Sequence, residues 1–188
     1  MGTSVTWNLP NGLTAARLVC VPILAVLLFI DDPLARDVAA IVFIAAAVTD
    51  FLDGSIARRR GITSHFGAVA DPIADKALIT VALVGLSLLG QLPWWITVVI
   101  LFREFAITIL RLAVLRHGVI PASRGGKVKT VTQIIAISMY LAVPPSVISG
   151  VWSDLAFGVM LVAVLLTVAT GIDYIRQAYV LSRPGQRQ

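Results

Sequence analysis

The feature that most constrains the fold is a series of six mostly apolar stretches, of which the fifth is short and the others are close to the length of a membrane-spanning helix. Such a helix needs roughly 20 apolar residues to cross about 30 Å of hydrocarbon. The stretches cover residues 14–30, 38–57, 72–89, 93–115, 130–143 and 151–174. The segments between them, such as residues 31–33 and 90–93, are rich in turn-forming residues. The sequence therefore predicts an all-α integral membrane protein with six transmembrane helices.

Composition and length support a single membrane domain. The 188 residues are 58% hydrophobic and 13% charged, which is too apolar for an ordinary soluble domain. No long linker or low-complexity segment interrupts the chain, so residues 1–188 are predicted to form one domain. The single cysteine, Cys20, excludes an internal disulfide and a thiolate metal cluster.

Basic residues indicate the orientation. Nearly all lysines and arginines fall at ends of the stretches that six crossings place on one side, whereas Arg36 lies on the other. Cytoplasmic loops carry an excess of lysine and arginine, so both termini are expected to face the cytoplasm. Trp94, Trp95 and Trp152 then lie at the outer interface, where aromatic residues are enriched. The net charge of +5 is accordingly explained by orientation, and nucleic acid is not an expected partner.

Four aspartates at fixed spacing lie at the end of the second stretch and the start of the third. They belong to a run, D-x2-D-G-x2-A-R-x8-G-x3-D-x3-D, whose defined positions are Asp50, Asp53, Gly54, Ala57, Arg58, Gly67, Asp71 and Asp75. We call these eight residues the acidic run. Spacings of three and four residues place each pair of aspartates on one helical face. Carboxylates are costly at membrane depth, and an all-oxygen cluster suits a hard divalent cation such as Mg²⁺ or Mn²⁺.

Two other interpretations of these acids remain open. In a structural interpretation they cap helix ends and pair with the neighbouring basic residues Arg58, Arg59, Arg60 and Lys76. That interpretation does not require the interleaved small residues, which let a bulky ligand approach the backbone. In a transport interpretation they line an ion path, but all four lie at one level and only Glu104 continues towards the far side.

The acidic run resembles, without a departure, the signature of the CDP-alcohol phosphatidyltransferases. These membrane enzymes join a CDP-activated lipid or alcohol to a second alcohol and release CMP. The resemblance implies a six-helix fold, cytoplasmic termini, a homodimer and an active site open to the inner leaflet. Because no arginine-rich transit segment precedes the first stretch, we expect the plasma membrane of a bacterium.

The resemblance also implies roles for the residues of the acidic run. The ligands of one or two divalent cations are Asp50, Asp53, Asp71 and Asp75. The residues that line the site of the CDP headgroup are Gly54, Ala57, Arg58 and Gly67. Asp75 is further implied as the general base that takes the proton of the acceptor hydroxyl. For Arg58 an orientation signal, like Arg59, is the alternative.

Basic residues further along the chain bear on the acceptor. Arg111 lies eight residues, about two helical turns, after Arg103, and the next loop leads to Lys127 and Lys129. These four residues indicate an anion pocket for an acceptor that carries its own phosphate. The alternative interpretation pairs Arg103 with Glu104 and treats the lysines as orientation signals.

Three segments resemble the phosphatidylglycerophosphate synthase branch of the family. They are N-L-P-N-G-L-T with Arg17, R-E-F with Arg111, and G-K-V-K-T, which begin at residues 8, 103 and 126. The last two apolar stretches add nothing to this resemblance. Ala70, where a larger apolar residue is usual, is a small departure.

This branch resemblance implies phosphatidyl transfer from CDP-diacylglycerol to glycerol 3-phosphate, a step of phospholipid biosynthesis. Acceptor-phosphate contacts would be Arg103, Arg111, Lys127 and Lys129. Possible headgroup contacts are Asn11, Thr14 and Arg17. A cardiolipin synthase or a phosphatidylinositol-phosphate synthase of the same superfamily is the alternative.

Overall fold

A computed structural model describes residues 9–60, 65–114, 124–142 and 150–181. These residues form six α-helices and no strand. The helices are α1 (Leu9–Leu28), α2 (Pro33–Arg60), α3 (His65–Leu88), α4 (Trp94–Val114), α5 (Arg124–Leu141) and α6 (Val151–Leu181). The predicted all-α class with six helices is confirmed.

Several helices extend beyond the apolar stretches that predicted them. α3 begins at His65 rather than at residue 72, and α5 begins at Arg124 rather than at residue 130. α6 continues to Leu181, beyond the predicted end at residue 174. Hydropathy marks only the apolar part of a helix, whereas the backbone hydrogen bonds continue through the polar residues that flank it.

Local signals account for two of the breaks between helices. Asp32 lies just before α2, and its Oδ1 accepts a hydrogen bond from the Leu34 N–H at 3.0 Å. An aspartate there satisfies an open backbone donor, and Pro33 at the first helical position loses no hydrogen bond. After α3, Gly90 adopts a φ of +70°, the left-handed conformation that commonly ends helices.

The chain divides into two compact units, Met1–Leu92 with Ser138–Ile148, and Pro93–Ile137 with Ser149–Gln188. The single domain predicted for residues 1–188 stays a prediction. In the first unit, α1 packs against both α2 and α3. A Cβ atom at Gly85 of α3 would lie 2.6 Å from Leu28 Cδ1 of α1. The glycine therefore lets these two helices approach closely, as small residues do at membrane helix interfaces.

Arg36 links three parts of the first unit. Its guanidinium donates a hydrogen bond to Oε1 of Gln91, which follows α3. It also donates to the carbonyl of Tyr140, near the end of α5, at an N···O distance of 3.3 Å. Burial lowers the pKa of Arg36 from its ordinary value. Arg36, which the distribution of basic residues predicts to lie on the opposite side from the others, is thus part of the packing at the start of α2.

In the second unit, α4 packs against α6. Ile96 and Ile100 of α4 and Met160 of α6 are fully buried. Thr167 of α6 and Lys129 and Gln133 of α5 are buried as well, although such side chains are mostly exposed in proteins. The core of the second unit therefore contains buried polar side chains as well as apolar ones.

By length and composition, α6 is the one helix among the described residues that could cross a membrane. The shorter apolar helices Gly12–Leu28 and Lys76–Leu88 fall below the same length. Large apolar side chains are widely exposed, which marks surfaces for membrane or protein contact; they include Val26, Ile41, Phe102 and Leu165. The prediction of six crossings with cytoplasmic termini stays a prediction.

Candidate active site

The acidic run occupies two consecutive helices of the first unit that contact each other. Asp50 and Asp53 lie in the second half of α2, and Asp71 and Asp75 lie in the first half of α3. Both segments are continuous helix, so the spacings of three and four residues place each pair on one face of its helix. Four hard oxygen donors on two adjoining helices are a donor set that fits Mg²⁺ or Mn²⁺.

The side chains of the acidic run lie outside the described part of the structure. Their predicted roles in metal binding, headgroup binding and catalysis therefore stay predictions. This applies to Asp50, Asp53, Gly54, Ala57, Arg58, Gly67, Asp71 and Asp75 alike.

The predicted headgroup contacts on α1 lie in the same unit. Thr14 and Arg17 are three residues apart, and each is 2% exposed. Since α1 packs against the two helices that carry the acidic run, this polar face is directed into the unit. Both residues have polar or electrostatic partners, as buried polar groups in proteins do. The Asn11 side chain lies outside the described residues.

Glu104 joins two of the predicted acceptor-site cations in the second unit. Arg103 Nη1 of α4 lies 3.3 Å from Glu104 Oε1, and Lys129 Nζ of α5 forms an ion pair with the same oxygen. The side chains of Arg103, Glu104 and Lys129 are 16%, 19% and 6% exposed. We call these residues the charged trio. Two cations and one anion leave it with a net positive charge of one.

The charged trio combines parts of both interpretations of these residues. The ion pair of Arg103 with Glu104 is present, as predicted by the alternative interpretation that treats the lysines as orientation signals. Lys129, however, is buried in the same network, which a mere orientation signal would not require. Binding of an acceptor phosphate by these cations stays a prediction.

Helix α6 holds the guanidinium of Arg103. Arg103 Nε donates to the Thr167 carbonyl at 3.1 Å, and Nη2 donates to Thr170 Oγ1 at 2.9 Å. A Cβ atom at Gly171 would lie 3.2 Å from Arg103 Cγ and 3.3 Å from Nε. The absence of a side chain at Gly171 therefore leaves space for the aliphatic part of the Arg103 side chain, which we call the arginine stem. We call Thr167, Thr170 and Gly171 the α6 cluster.

The α6 cluster is not among the site residues that the sequence predicts. The last two apolar stretches predict membrane spans and carry no functional motif. The pattern T-x2-T-G in residues 167–171, inside an otherwise apolar stretch, was the available signal. A threonine hydroxyl in an apolar helix can donate a hydrogen bond to a carbonyl of its own helix. The pattern alone therefore does not indicate a function.

Thr167 also ties α5 into this network. Gln133 Nε2 donates to Thr167 Oγ1 at 2.9 Å, and that hydroxyl donates to the Ala163 carbonyl at 2.6 Å. Both side chains are buried. Hydrogen bonds and ion pairs therefore connect all three helices of the second unit around Arg103.

The other two predicted acceptor contacts are exposed. The Arg111 guanidinium lies 5.6 Å from the centre of the Tyr174 ring, within the range of a cation–π interaction. Lys127 is exposed on α5. The four predicted cations thus divide into an inner pair, Arg103 and Lys129, and an outer pair, Arg111 and Lys127.

Comparison with known proteins identifies the family. A family model described as CDP-alcohol phosphatidyltransferase matches residues 7–169. A "Probable phosphatidylglycerophosphate synthase" of Mycobacterium tuberculosis is 52% identical over 174 residues, which cover 91% of this chain and 81% of the relative. The "CDP-diacylglycerol--glycerol-3-phosphate 3-phosphatidyltransferase" of Bacillus subtilis is 39% identical over 89% of this chain and 93% of its own length. A protein of the same name from Rickettsia typhi is 38% identical over 90% and 96%. On this evidence the chain belongs to the CDP-alcohol phosphatidyltransferase family.

Proposed function

We propose that this chain transfers the phosphatidyl group from CDP-diacylglycerol to glycerol 3-phosphate and releases CMP, as a phosphatidylglycerophosphate synthase. The observation that carries the proposal is the similarity of the chain, over about nine-tenths of its length, to two bacterial relatives. The name of the Bacillus subtilis relative specifies this donor and acceptor, and the name of the Mycobacterium tuberculosis relative specifies phosphatidylglycerophosphate synthesis. The match of the acidic run to the family signature supports the donor side of this reaction, transfer from a CDP-activated lipid with release of CMP.

The acidic run fits the donor side of the reaction. Asp50, Asp53, Asp71 and Asp75 would hold Mg²⁺ or Mn²⁺, which when bound supplies charge neutralisation at the diphosphate. Gly54, Ala57 and Gly67 leave room for the CDP headgroup, and Arg58 offers a planar cation to its phosphate oxygens.

Proton transfer is assigned to Asp75. Its carboxylate takes the proton of the primary hydroxyl of glycerol 3-phosphate. The hydroxyl oxygen then forms a bond to the phosphorus that carries diacylglycerol, and the bond from that phosphorus to CMP breaks. The products are phosphatidylglycerophosphate, CMP and one proton.

The charged trio supports an acceptor with its own phosphate. A guanidinium has five N–H donors, and described protein groups use three of those of Arg103. The trio keeps one net positive charge, and Arg111 and Lys127 add two exposed cations. A phosphomonoester suits such a site, whereas phosphatidylglycerol, the acceptor of a cardiolipin synthase, carries none.

The membrane setting of the reaction belongs to the same proposal. The family and the apolar helix α6 indicate a membrane-bound bacterial enzyme. We place its active site at the cytoplasmic face of the plasma membrane, with six crossings and a homodimer. CDP-diacylglycerol would then enter from the lipid and glycerol 3-phosphate from the cytoplasm.

An acceptor competition tests the proposal. Purified protein receives CDP-diacylglycerol with labelled glycerol 3-phosphate, inositol phosphate or phosphatidylglycerol in parallel reactions. We expect label to enter lipid from glycerol 3-phosphate. Incorporation from phosphatidylglycerol would indicate a cardiolipin synthase, and incorporation from inositol phosphate would indicate a phosphatidylinositol-phosphate synthase; either result would overturn the proposed acceptor.

A further inference from the structure

The hydroxyl groups of the α6 cluster can act only as acceptors towards neighbouring helices. A hydroxyl has one donor hydrogen. Thr167 Oγ1 gives its hydrogen to the Ala163 carbonyl and Thr170 Oγ1 gives its hydrogen to the Leu166 carbonyl, each at 2.6 Å. The remaining lone pairs receive the Gln133 amide and the Arg103 guanidinium. The two threonines of the α6 cluster therefore accept hydrogen bonds from neighbouring helices, and one of these donors is a charged guanidinium.

Arg103 is held by α6 on one side and by Glu104 on the other. Nε and Nη2 bond to the α6 cluster, and Nη1 bonds to Glu104. Beyond these bonds, each Nη atom keeps one further N–H group. Without the Thr170 acceptor, Nη2 could turn towards the Glu104 carboxylate. Nη1 and Nη2 would then form a bidentate ion pair with it, a geometry that arginine favours. That pair would neutralise the guanidinium internally.

From these contacts we infer that α6 positions Arg103 for the acceptor phosphate. Thr167 and Thr170 are positioning residues, and Gly171 provides the space for the arginine stem. By holding the guanidinium away from full pairing with Glu104, the α6 cluster keeps N–H groups for a phosphomonoester. This inference rests on the proposed function, because it explains how Arg103 keeps N–H groups that can bind the phosphate of the proposed acceptor.

Thr170→Val tests the inference, since it replaces the hydroxyl by a methyl group of similar size. The KM for glycerol 3-phosphate is expected to rise about tenfold, the loss typical of a hydrogen bond to a charged group. The KM for CDP-diacylglycerol and kcat are expected to stay unchanged. Thr170→Ser keeps the hydroxyl and should retain the wild-type KM.

The matched control is Thr132→Val on α5. The Thr132 hydroxyl also bonds to its own helix, at Val128 O, but lies outside the charged network, so this variant should behave as wild type. If Thr170→Val fails to fold, Gly171→Ala is the second variant, because its Cβ would press on the Arg103 stem. It too should raise the KM for the acceptor alone.

A double-mutant cycle identifies the route of the effect. If Thr170 acts through Arg103, Thr170→Val should add little to the acceptor KM of an Arg103→Ala protein. An unchanged acceptor KM in Thr170→Val, or equal rises for both substrates, would overturn the role of α6.

Failure of the proposed function looks different. A wild type that uses inositol phosphate overturns the proposed acceptor, while Thr170→Val would still raise the KM of that phosphorylated acceptor. A wild type that uses only phosphatidylglycerol overturns both. An active wild type on glycerol 3-phosphate with an unaffected Thr170→Val overturns the role of α6 alone.

Discussion

Replacing Glu104 by glutamine should destabilise the second unit, because it removes a carboxylate that pairs with two cations, Arg103 and Lys129. The substitution keeps the shape of the side chain, so packing changes little. Breaking a buried ion pair by removing one partner costs about 3–5 kcal/mol. Glu104 is 19% exposed and Lys129 is 6% exposed, so partial hydration reduces the expected loss to roughly 2–3 kcal/mol.

The loss is measurable as a shift in the melting temperature of the detergent-solubilised protein. For a chain of this size each kcal/mol corresponds to about 2–4 °C, so we expect Glu104→Gln to melt roughly 4–12 °C lower. Replacing Lys129 by methionine in the same protein should recover part of the loss, because an apolar residue then replaces a buried cation that has lost the Glu104 carboxylate.

Asp173→Asn on α6 is the matched control. Its carboxylate is exposed and accepts a hydrogen bond from Gln177 Nε2 at 2.8 Å, and surface substitutions usually change stability by less than about 0.5 kcal/mol. If Glu104→Gln melts no lower than Asp173→Asn, the charged trio is not a buried network and the reasoning is refuted.

Three further predictions concern other parts of the molecule. Asp75→Asn should abolish turnover while CDP-diacylglycerol still binds; near-normal turnover in a CMP-release assay would show that Asp75 is not the base. Gly85→Ala should not raise stability, because displacing Leu28 Cδ1, 2.6 Å from the added methyl group, offsets the roughly 0.5–1 kcal/mol that alanine gains over glycine in a helix; a melting temperature raised by that full gain would contradict the close approach of α1 and α3. Gln133→Leu should cost roughly 0.5–1.5 kcal/mol by removing the bond to Thr167, and a gain in stability would argue against that bond.

Hydropathy was sufficient to predict six helices, because each apolar stretch is long enough to form one and turn residues separate them. It was insufficient for their ends. α3 and α5 begin within polar segments, at His65 and Arg124, where only backbone hydrogen bonding continues the helix. The motif spacing likewise predicts that each pair of aspartates shares one helical face, and both pairs lie within continuous helix, in α2 and α3.

The partners of Arg103 could be predicted only in part. Glu104 is its neighbour in sequence, so an ion pair between them is one of the two interpretations that the sequence allows. The contacts to Thr167 and Thr170 join residues 64 and 67 positions apart. Such contacts arise from the packing of α4 against α6, which no local pattern specifies. For the same reason the sequence could not indicate that Lys129 and Arg103 share Glu104.

The most direct test of the central claim follows labelled glycerol 3-phosphate and CMP together in one reaction with purified protein and CDP-diacylglycerol. We predict that label enters lipid in step with CMP release, that a chelator stops both, and that added Mg²⁺ or Mn²⁺ restores both. Transfer that continues undiminished after all metal has been removed, or CMP release without labelled lipid, would contradict the account.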